Sequence, residues 1–210
     1  MNLLTGNVLE EVVSSINGKI RVIRNLGLGT YIQVENLTQS GGVVYQVWKS
    51  TLRKIQKSKS KIQNCLILGL GGGSAAKLVR KFWPEAHIIG VDIDPVMVEM
   101  GKKYLGLRDV ETVIKDAEKF FVSSEREGTK YDLILVDLYV GHKVPEKFQT
   151  ENYIQLVGSI LASSGLAVFN RLYFGEKRRE AEKFSEKLEK VFSRVERFFP
   201  EANIMFICGV

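Results

Sequence analysis

The pattern of apolar and polar positions divides the chain into an extended first part and an alternating second part. Apolar runs at Val12–Ile16 and Lys19–Ile23 flank Asn17-Gly18, a pair that favours a tight hairpin turn. Thr30–Val34 alternates like a further strand, and residues 1 to about 42 are predicted to be extended. Apolar residues then recur at helical spacing over Val44–Ile55, which predicts one amphipathic helix.

From Asn64 onward, apolar runs of strand length alternate with segments of helical period. The predicted strands are Cys65–Leu70, Ile88–Asp92, Val110–Ile114, Tyr131–Val136 and Leu166–Asn170. The predicted helices between them are Ser74–Phe82, Pro95–Tyr104, Asp116–Ser123 and Thr150–Ala162. Short alternating units of this kind predict a parallel sheet covered by helices on both faces.

The end of the chain breaks this alternation. A charged amphipathic helix, with apolar positions from Ala181 to Phe192, leads to two short apolar runs, Val195–Phe199 and Asn203–Cys208. Only the three residues 200–202 separate these runs, too few for a parallel crossover, so the runs must be antiparallel. Five parallel strands followed by a reversed strand are typical of the Rossmann-like class I methyltransferase fold, whereas a standard NAD-binding domain ends on a sixth parallel strand. We therefore predict an α/β fold with a seven-stranded mixed sheet whose last strand is antiparallel, preceded by a small N-terminal β-hairpin region.

A polar stretch at Gln56–Lys61 has the composition of a linker. At 210 residues the chain is long enough to bury one good core with a small appendage. We therefore predict two parts: residues 1–60, a β-hairpin region with its lead-in helix, and residues 61–210, a Rossmann-like cofactor-binding catalytic domain.

The most informative stretch is Asn64–Asp94, in which a strand, a glycine-rich turn, a helix and a strand ending on an acid follow one another. Gly69, Gly71 and Gly73 would let the backbone approach a ligand, and the following helix N-terminus supplies free N–H groups. Asp92 closes the second strand nineteen residues after Gly73 and is placed to accept both hydroxyls of a ribose. The stretch predicts a site for a nucleoside-type cofactor.

The other strand ends extend this site, because ligands of open α/β sheets lie at the carboxyl ends of the strands. Ile93 follows Asp92, Asp116-Ala117 follows the third strand, and Asp137 ends the fourth. Three acids at successive strand ends suit a ligand with ribose hydroxyls, an exocyclic amine and a cationic sulfonium. The alternative for Asp92 and Asp116 is helix N-capping. Asp137 ends an otherwise apolar strand, where a carboxylate is costly unless it faces a polar cleft.

The loop after the fourth strand carries Tyr139 and His142, at the place where a second substrate would enter. Asp137 would orient or deprotonate an attacking nucleophile there, helped by Tyr139 or His142. The alternative for His142 is a solvated loop residue without a catalytic role.

Composition and charge are typical of a globular protein and give no sign of a membrane protein. The chain is 45% hydrophobic and 26% charged, which is typical of globular proteins, and lacks an apolar run near the roughly 20 residues that span a bilayer. The N-terminus lacks the features of a signal peptide, so we expect a cytoplasmic protein without a membrane partner.

Cys65 and Cys208 lie in apolar runs and are predicted to be buried, inert thiols, and the sequence predicts no metal site. A net charge of +6 is compatible with an RNA partner, but the basic segments lack interleaved aromatic residues and are explained by solvated helix faces.

Taken together, these motifs resemble the core of the spermidine synthases, the polyamine aminopropyltransferases. The resemblance rests on Leu66–Asp94, on Asp116-Ala117 and on Tyr131–Asp137, and it extends to Tyr31–Gln39 in the N-terminal part. It implies that the cofactor pocket is lined by Gln39, Gly69, Gly71, Gly73, Asp92 and Asp116. It also implies that Asp137 takes the place of the first acid in the family's D-S-x-D loop, and that the chain forms a homodimer through its hairpins.

The chain departs from the family where the polyamine would bind. The family's acids have no counterpart at Ser40-Gly41-Gly42, at Val47 or at Val140. Because carboxylates must offset the desolvation of a polyamine's ammonium groups, their loss should lower its affinity. We therefore favour an S-adenosylmethionine-dependent methyltransferase acting on a small-molecule acceptor. The alternatives are an aminopropyltransferase that uses decarboxylated S-adenosylmethionine and a non-catalytic nucleoside-binding protein.

Overall fold

A computed structural model describes residues 6–59, 61–121 and 128–210 of the chain. The strands are β1 (Asn7–Ser14), β2 (Gly18–Asn25), β3 (Gly29–Val34), β4 (Leu37–Gly41), β5 (Asn64–Leu68), β6 (His87–Asp92), β7 (Glu111–Ile114), β8 (Tyr131–Val136), β9 (Leu161–Leu172), β10 (Arg194–Phe198) and β11 (Asn203–Gly209). The α-helices are α1 (Gly42–Ser58), α2 (Ser74–Phe82), α3 (Pro95–Met100), α4 (Ala117–Phe121), α5 (Glu151–Ser159) and α6 (Lys177–Glu189). None of the helices in these ranges has the length and apolar character needed to cross a membrane.

The N-terminal strands form an antiparallel sheet in the order β1-β2-β3-β4. The hairpin predicted at Asn17-Gly18 is confirmed, with β1 paired to β2 from Asn7 to Ser14. The prediction placed the first strand too late, at Val12, because the alternation of β1 is weakened by exposed residues at its start. β4 was not predicted as a separate strand, since its sequence is mostly polar and small.

The second sheet has seven strands in the order β10-β11-β9-β8-β5-β6-β7. Strands β5 to β9 pair in parallel, whereas β11 is antiparallel to both β9 and β10. The predicted mixed sheet with a reversed last strand is confirmed. One face packs against α1 and α2, and the other against α4, α5 and α6, so the central strands are buried on both sides.

Several element boundaries differ from the predictions. The helix expected to reach Tyr104 ends at Met100 and continues as a π-helical segment, Gly101–Leu105. β9 begins at Leu161, inside the stretch predicted as helix, because the backbone there pairs with Tyr131 of β8. α4 begins one residue after the predicted start, and Ser123, the predicted end of that helix, lies outside the described residues. Gln56–Ser58 of the predicted linker belongs to α1, and Ser60 lies outside the described residues.

Hydrogen bonds join the N-terminal sheet to the second sheet next to the glycine-rich turn. The Ser40 hydroxyl accepts a bond from the Gly72 backbone at 2.8 Å, and the Ser74 hydroxyl accepts one from the Gly41 backbone at 2.7 Å. The predicted division into residues 1–60 and 61–210 stays a prediction. Cys65 and Cys208 are both buried, as expected, and burial raises the pKa of each thiol.

Candidate active site

A cavity of about 410 Å³ lies at the carboxyl ends of β5 to β9 and is bordered by β4 and the start of α1. Its position is the one where parallel α/β sheets bind ligands. The ends of β6 and β8 are two strands apart, roughly 10 Å, so one elongated ligand can contact both. Of the residues singled out from the sequence, those lining the cavity are Gln39, Gly69, Gly71, Asp92, Ile93, Asp116, Ala117, Asp137 and Tyr139.

The glycine-rich turn shapes the floor of this cavity. Gly69 has φ +88°, and a Cβ atom there would lie 2.2 Å from the Asp137 carbonyl oxygen. Only glycine fits this close approach between the turn and the end of β8. Gly71 also has a positive φ, and its N–H donates to Asp92 Oδ2 at 2.6 Å. Gly73 is not among the lining residues; it precedes α2, where a Cβ atom would meet Leu107.

Asp92 is half-buried at the end of β6. Its Oδ1 accepts a hydrogen bond from the Asp94 backbone at 2.8 Å, while Oδ2 accepts the one from Gly71. Burial raises the pKa of Asp92, and these backbone bonds oppose that effect in part. Each oxygen retains lone-pair capacity toward the cavity, which suits a ligand bearing two hydroxyl groups. Ile93 beside it is 43% exposed and offers an apolar surface to the same ligand.

Asp116 and Ala117 line the cavity at the end of β7. Asp116 Oδ2 lies 2.7 Å from Lys147 Nζ, and Oδ1 accepts a bond from the Glu118 backbone at 2.9 Å. Burial favours the neutral acid, but the hydrogen bonds from Lys147 and from the backbone outweigh it, so the pKa of Asp116 is lowered. Asp116 therefore also caps α4, as the alternative interpretation expected, while its carboxylate borders the cavity.

Asp137 stands at the end of β8, facing the opposite half of the cavity. Trp48 of α1 donates its indole N–H to Oδ2 at 2.9 Å, and Asn170 of β9 donates to Oδ1 at 2.8 Å. Asn203 of β11 in turn donates to Asn170 at 2.8 Å, completing an amide chain that ends on the carboxylate. Desolvation raises the pKa of Asp137, although both hydrogen bonds and the charge of Arg171 oppose the rise.

Tyr139 and His142 are placed differently from each other. The Tyr139 hydroxyl accepts a hydrogen bond from the Leu172 backbone at 2.9 Å, and burial raises the pKa of Tyr139 to about 12. His142 is not among the residues that line the large cavity; it lines a second cavity of about 20 Å³, with Nδ1 3.7 Å from a Glu35 carboxylate oxygen. Gln39 holds the loop between them by donating to the Gly141 carbonyl at 2.9 Å.

Three site residues were missed from the sequence: Trp48, Asn170 and Asn203. Trp48 is one of the apolar positions that predicted α1, but a buried indole N–H needs an acceptor. Asn170 ends the apolar run of β9, so the reasoning applied to Asp92 and Asp137 would have found it. Asn203 opens β11 and gives no such signal, because only the sheet order brings it beside β9. No group of three potential metal ligands occurs in the described parts of the chain.

Comparison with known proteins identifies the family. The model of the spermine/spermidine synthase domain matches residues 46–202, about three quarters of the chain. The chain belongs to this family. The match begins in α1 and ends just before β11, so the matched region contains Trp48, all three strand-end acids and Asn170.

Sequence relatives include both aminopropyl and methyl transferases. The polyamine aminopropyltransferase of Vibrio vulnificus is 33% identical over 113 residues, 52% of this chain and 38% of the relative. Polyamine aminopropyltransferase 1 of Hyperthermus butylicus is 28% identical over 196 residues, 88% of this chain and 65% of the relative. The eEF1A lysine and N-terminal methyltransferase homolog of Drosophila melanogaster is 29% identical over 161 residues, 71% of this chain and 24% of the relative. The chain thus spans between a quarter and two thirds of the length of these relatives.

Solved structures share the fold of this synthase domain. A probable spermidine synthase from Corynebacterium glutamicum superposes with a TM-score of 0.77 at 18% identity, over 97% of this chain and 80% of that one. Human Methyltransferase-like protein 13, in complex with SAH, superposes with a TM-score of 0.62 at 23% identity, over 80% of each chain. These likenesses confirm the class I methyltransferase-like fold.

Proposed function

We propose that the chain is an aminopropyltransferase that uses decarboxylated S-adenosylmethionine as donor and an amine as acceptor. The observation that carries the proposal is the Asp137 carboxylate, which faces the cavity between α1 and β9 with both oxygens held by neutral donors. A carboxylate in this position can bind an ammonium group and receive its proton.

The other half of the cavity fits the nucleoside part of such a donor. Gly69 and Gly71 leave a floor without side chains, and a Cβ atom on either would collide with neighbouring atoms. Asp92 offers acceptor lone pairs to ribose hydroxyls, and Asp116 offers one to an exocyclic amine. When bound, the donor supplies a three-carbon amine chain on a cationic sulfur.

The charges of the cavity favour a donor without a carboxylate. The basic residues among its described lining are Lys115 and Lys147, both at the β7 end. Lys147 is already paired with Asp116 and Glu118, at 2.7 and 3.3 Å. A donor carboxylate near Asp137 would therefore meet a like charge in a partly desolvated space, which is unfavourable.

Asp137 serves the acceptor during transfer. The acceptor nitrogen forms a bond to the carbon attached to sulfur, that carbon–sulfur bond breaks, and its electron pair stays on sulfur. The proton of the acceptor nitrogen passes to Asp137. Trp48 and Asn170 hold the carboxylate in one orientation, so the nitrogen is positioned as well as deprotonated.

Family membership supports aminopropyl transfer better than the methyl transfer favoured from the sequence. Methyl transfer from S-adenosylmethionine is the second candidate, and the specific observation in its favour is the similarity to the Drosophila melanogaster methyltransferase homolog. The two candidates differ in the donor, which makes them separable by a binding experiment.

The test is calorimetric titration of the full chain with decarboxylated S-adenosylmethionine, S-adenosylmethionine, methylthioadenosine and NAD. We expect the decarboxylated donor to bind at least about tenfold more tightly than its carboxylated parent, a difference of about 1.4 kcal/mol. The reverse preference would replace the proposal by methyl transfer. Donor binding without product from any amine, followed by mass spectrometry, would favour the non-catalytic alternative.

Asp137→Asn separates catalysis from donor binding. The substitution keeps the shape of the side chain but removes the base, so we expect turnover to fall by about 10²- to 10⁴-fold while donor affinity falls far less. Asp109→Asn, at an exposed acid far from the cavity, is the control and should leave both unchanged. Normal turnover by Asp137→Asn would refute the assigned role.

A further inference from the structure

The half of the cavity next to Asp137 is walled by apolar side chains. Trp48 fixes its location, because the indole bonds to Asp137 and Val44, one turn earlier on α1, lies on the same face of the helix. β9 and β11 complete the wall, since the Tyr173 backbone bonds to the Ala202 carbonyl at 2.8 Å and Asn203 bonds to Asn170. We call the following residues the apolar wall: Val43, Val44, Val47, Leu172, Phe174 and Ala202.

The apolar wall is open to ligand at two of its residues. Val43 is 39% exposed and Phe174 is 45% exposed, and both line the cavity, whereas Val47 is buried in the core. Burying the exposed surface of Val43 and Phe174 against hydrocarbon would stabilise a bound acceptor.

Carboxylates are scarce in this half of the cavity. Among the described lining residues the acids are Asp92, Asp116 and Asp137. Asp92 and Asp116 belong to the ends of β6 and β7, and Asp116 is neutralised by Lys147. Asp137 alone of these three lies on the side of the apolar wall, so this side offers one carboxylate to the acceptor.

From this charge and surface pattern we infer that the preferred acceptor is a primary monoamine on a hydrocarbon chain, not a diamine or longer polyamine. The inference rests on the proposed aminopropyl transfer and names its second substrate. The single ammonium is bound by Asp137, and the chain lies on the apolar wall. A second ammonium in the same position would lose its hydration without gaining a carboxylate.

Equilibrium binding tests the inference without turnover. The full chain, saturated with methylthioadenosine, is titrated with n-pentylamine and with 1,4-diaminobutane, which have the same number of non-hydrogen atoms. We expect n-pentylamine to bind at least about tenfold more tightly. Across n-butylamine, n-pentylamine and n-hexylamine, affinity should rise about three- to fourfold per methylene, the factor for burying one CH₂ group. Equal or tighter binding of the diamine, or no binding of n-pentylamine, would overturn the inference.

Two variants add a carboxylate to the apolar wall. Val43→Glu places it in the first turn of α1, where an acid is favourable and none exists, and Phe174→Glu places it after β9. Each should weaken n-pentylamine and strengthen 1,4-diaminobutane, shifting their affinity ratio at least about tenfold toward the diamine. Leu26→Glu, at a residue 86% exposed in the distant β2–β3 turn, is the matched control and should leave the ratio unchanged.

A parallel assay distinguishes failure of the inference from failure of the proposed function. The chain is incubated with decarboxylated S-adenosylmethionine and each amine, and products are identified by mass spectrometry. Transfer that favours the diamine overturns the inference and supports the function. Absence of transfer to every amine, with the expected binding ratio, overturns the function and supports the inference as a binding preference.

Discussion

Asp137 is held by uncharged hydrogen-bond donors at a place where a lone carboxylate is costly. The indole of Trp48 and the amide of Asn170 each satisfy one oxygen, while Arg171 influences the group only through its charge. Because neutral donors stabilise the ionised form less than a direct ion pair does, desolvation dominates and the pKa of Asp137 is raised. A base with a raised pKa accepts a proton more readily near neutral pH.

Asn170→Ala should change the pH dependence of catalysis. Asp137 acts as a base only when ionised, so kcat/KM falls as pH drops through its pKa. The Asn170 hydrogen bond stabilises the ionised form, so removing it raises that pKa further. We expect the acidic limb of the kcat/KM profile to move to higher pH by about half a unit to one unit.

The control for this measurement is Asn25→Ala, in the β2–β3 turn, where the side chain bonds only to the local backbone. It should leave the acidic limb in place. If the acidic limb of the kcat/KM profile stays at the same pH in Asn170→Ala and only the maximal kcat/KM falls, Asn170 has a structural role and does not change the pKa of Asp137.

At the scale of single residues, the sequence predicted the acids at the strand ends but not the side chains that hydrogen-bond to Asp137. The rule that ligands lie at strand ends located Asp92, Asp116 and Asp137 from local patterns alone. Trp48 lies 89 positions from Asp137, so no local pattern connects them. His142 lies on the loop after β8, as predicted, but it lines the smaller cavity.

At the scale of elements, the glycine-rich turn and the end of β8 can pack against each other only because Gly69 has no side chain. The N–H of Asp137 donates to the Leu68 carbonyl at 2.8 Å, which draws the backbone of β8 against the turn. The absence of a side chain at Gly69 permits this approach. The turn that lines one side of the cavity therefore also sets the position of Asp137 at the end of β8.

Gly69→Ala should disturb both halves. The positive φ and the collision with the Asp137 carbonyl together predict a loss of roughly 3 kcal/mol in the free energy of unfolding. Donor affinity should fall as well, because the turn must move. The measurements are chemical denaturation and donor titration.

Gly29→Ala separates the two causes, since Gly29 also has a positive φ, of +72°, but has no atom within 4 Å of an added Cβ. This variant should lose roughly 1 kcal/mol from backbone strain and keep normal donor affinity. If the two substitutions lower the free energy of unfolding equally, the collision with the Asp137 carbonyl does not contribute to the loss.

Element types were more predictable than element ends. Alternating strands and helices from Cys65 to Asn170 were found because continuous apolar runs of strand length alternate there with segments of the 3.6-residue helical period. The start of β9 was missed because residues 162–165 are small and polar, and only pairing with β8 makes them extended. The conversion of α3 into a π-helical segment at Gly101 likewise has no local signal.

At the scale of the whole molecule, Asp94 is a buried polar link between the N-terminal sheet and the second sheet. Its side chain is fully buried, and it caps α3 through the backbone N–H of Val96 at 2.9 Å. Its other oxygen accepts bonds from Ser14 at 2.6 Å and from Asn17 at 2.7 Å, both in the first hairpin. One carboxylate thus fixes the N-terminal sheet over the strand ends that form the cavity.

Asp94→Ala should lower stability by about 3 kcal/mol, because it leaves buried donors of Ser14 and of α3 without acceptors. The thermal midpoint should fall by several degrees, and donor affinity should weaken as the N-terminal sheet loosens. Glu85→Ala, at an exposed acid in the α2–β6 turn, is the control and should change neither quantity. An Asp94→Ala protein with an unchanged midpoint would contradict the link.

The amide chain that ends on Asp137 makes the site depend on a residue from the last strand of the sheet. Trp48, the strand-end acids and Asn170 all precede α6 along the chain, whereas Asn203 belongs to β11, which follows it. The last hairpin therefore contributes to the cavity from outside the parallel strands, through the amide that orients Asn170 and through Ala202 of the apolar wall. Sequence changes in this hairpin can alter the orientation of Asn170 while every strand-end acid is unchanged.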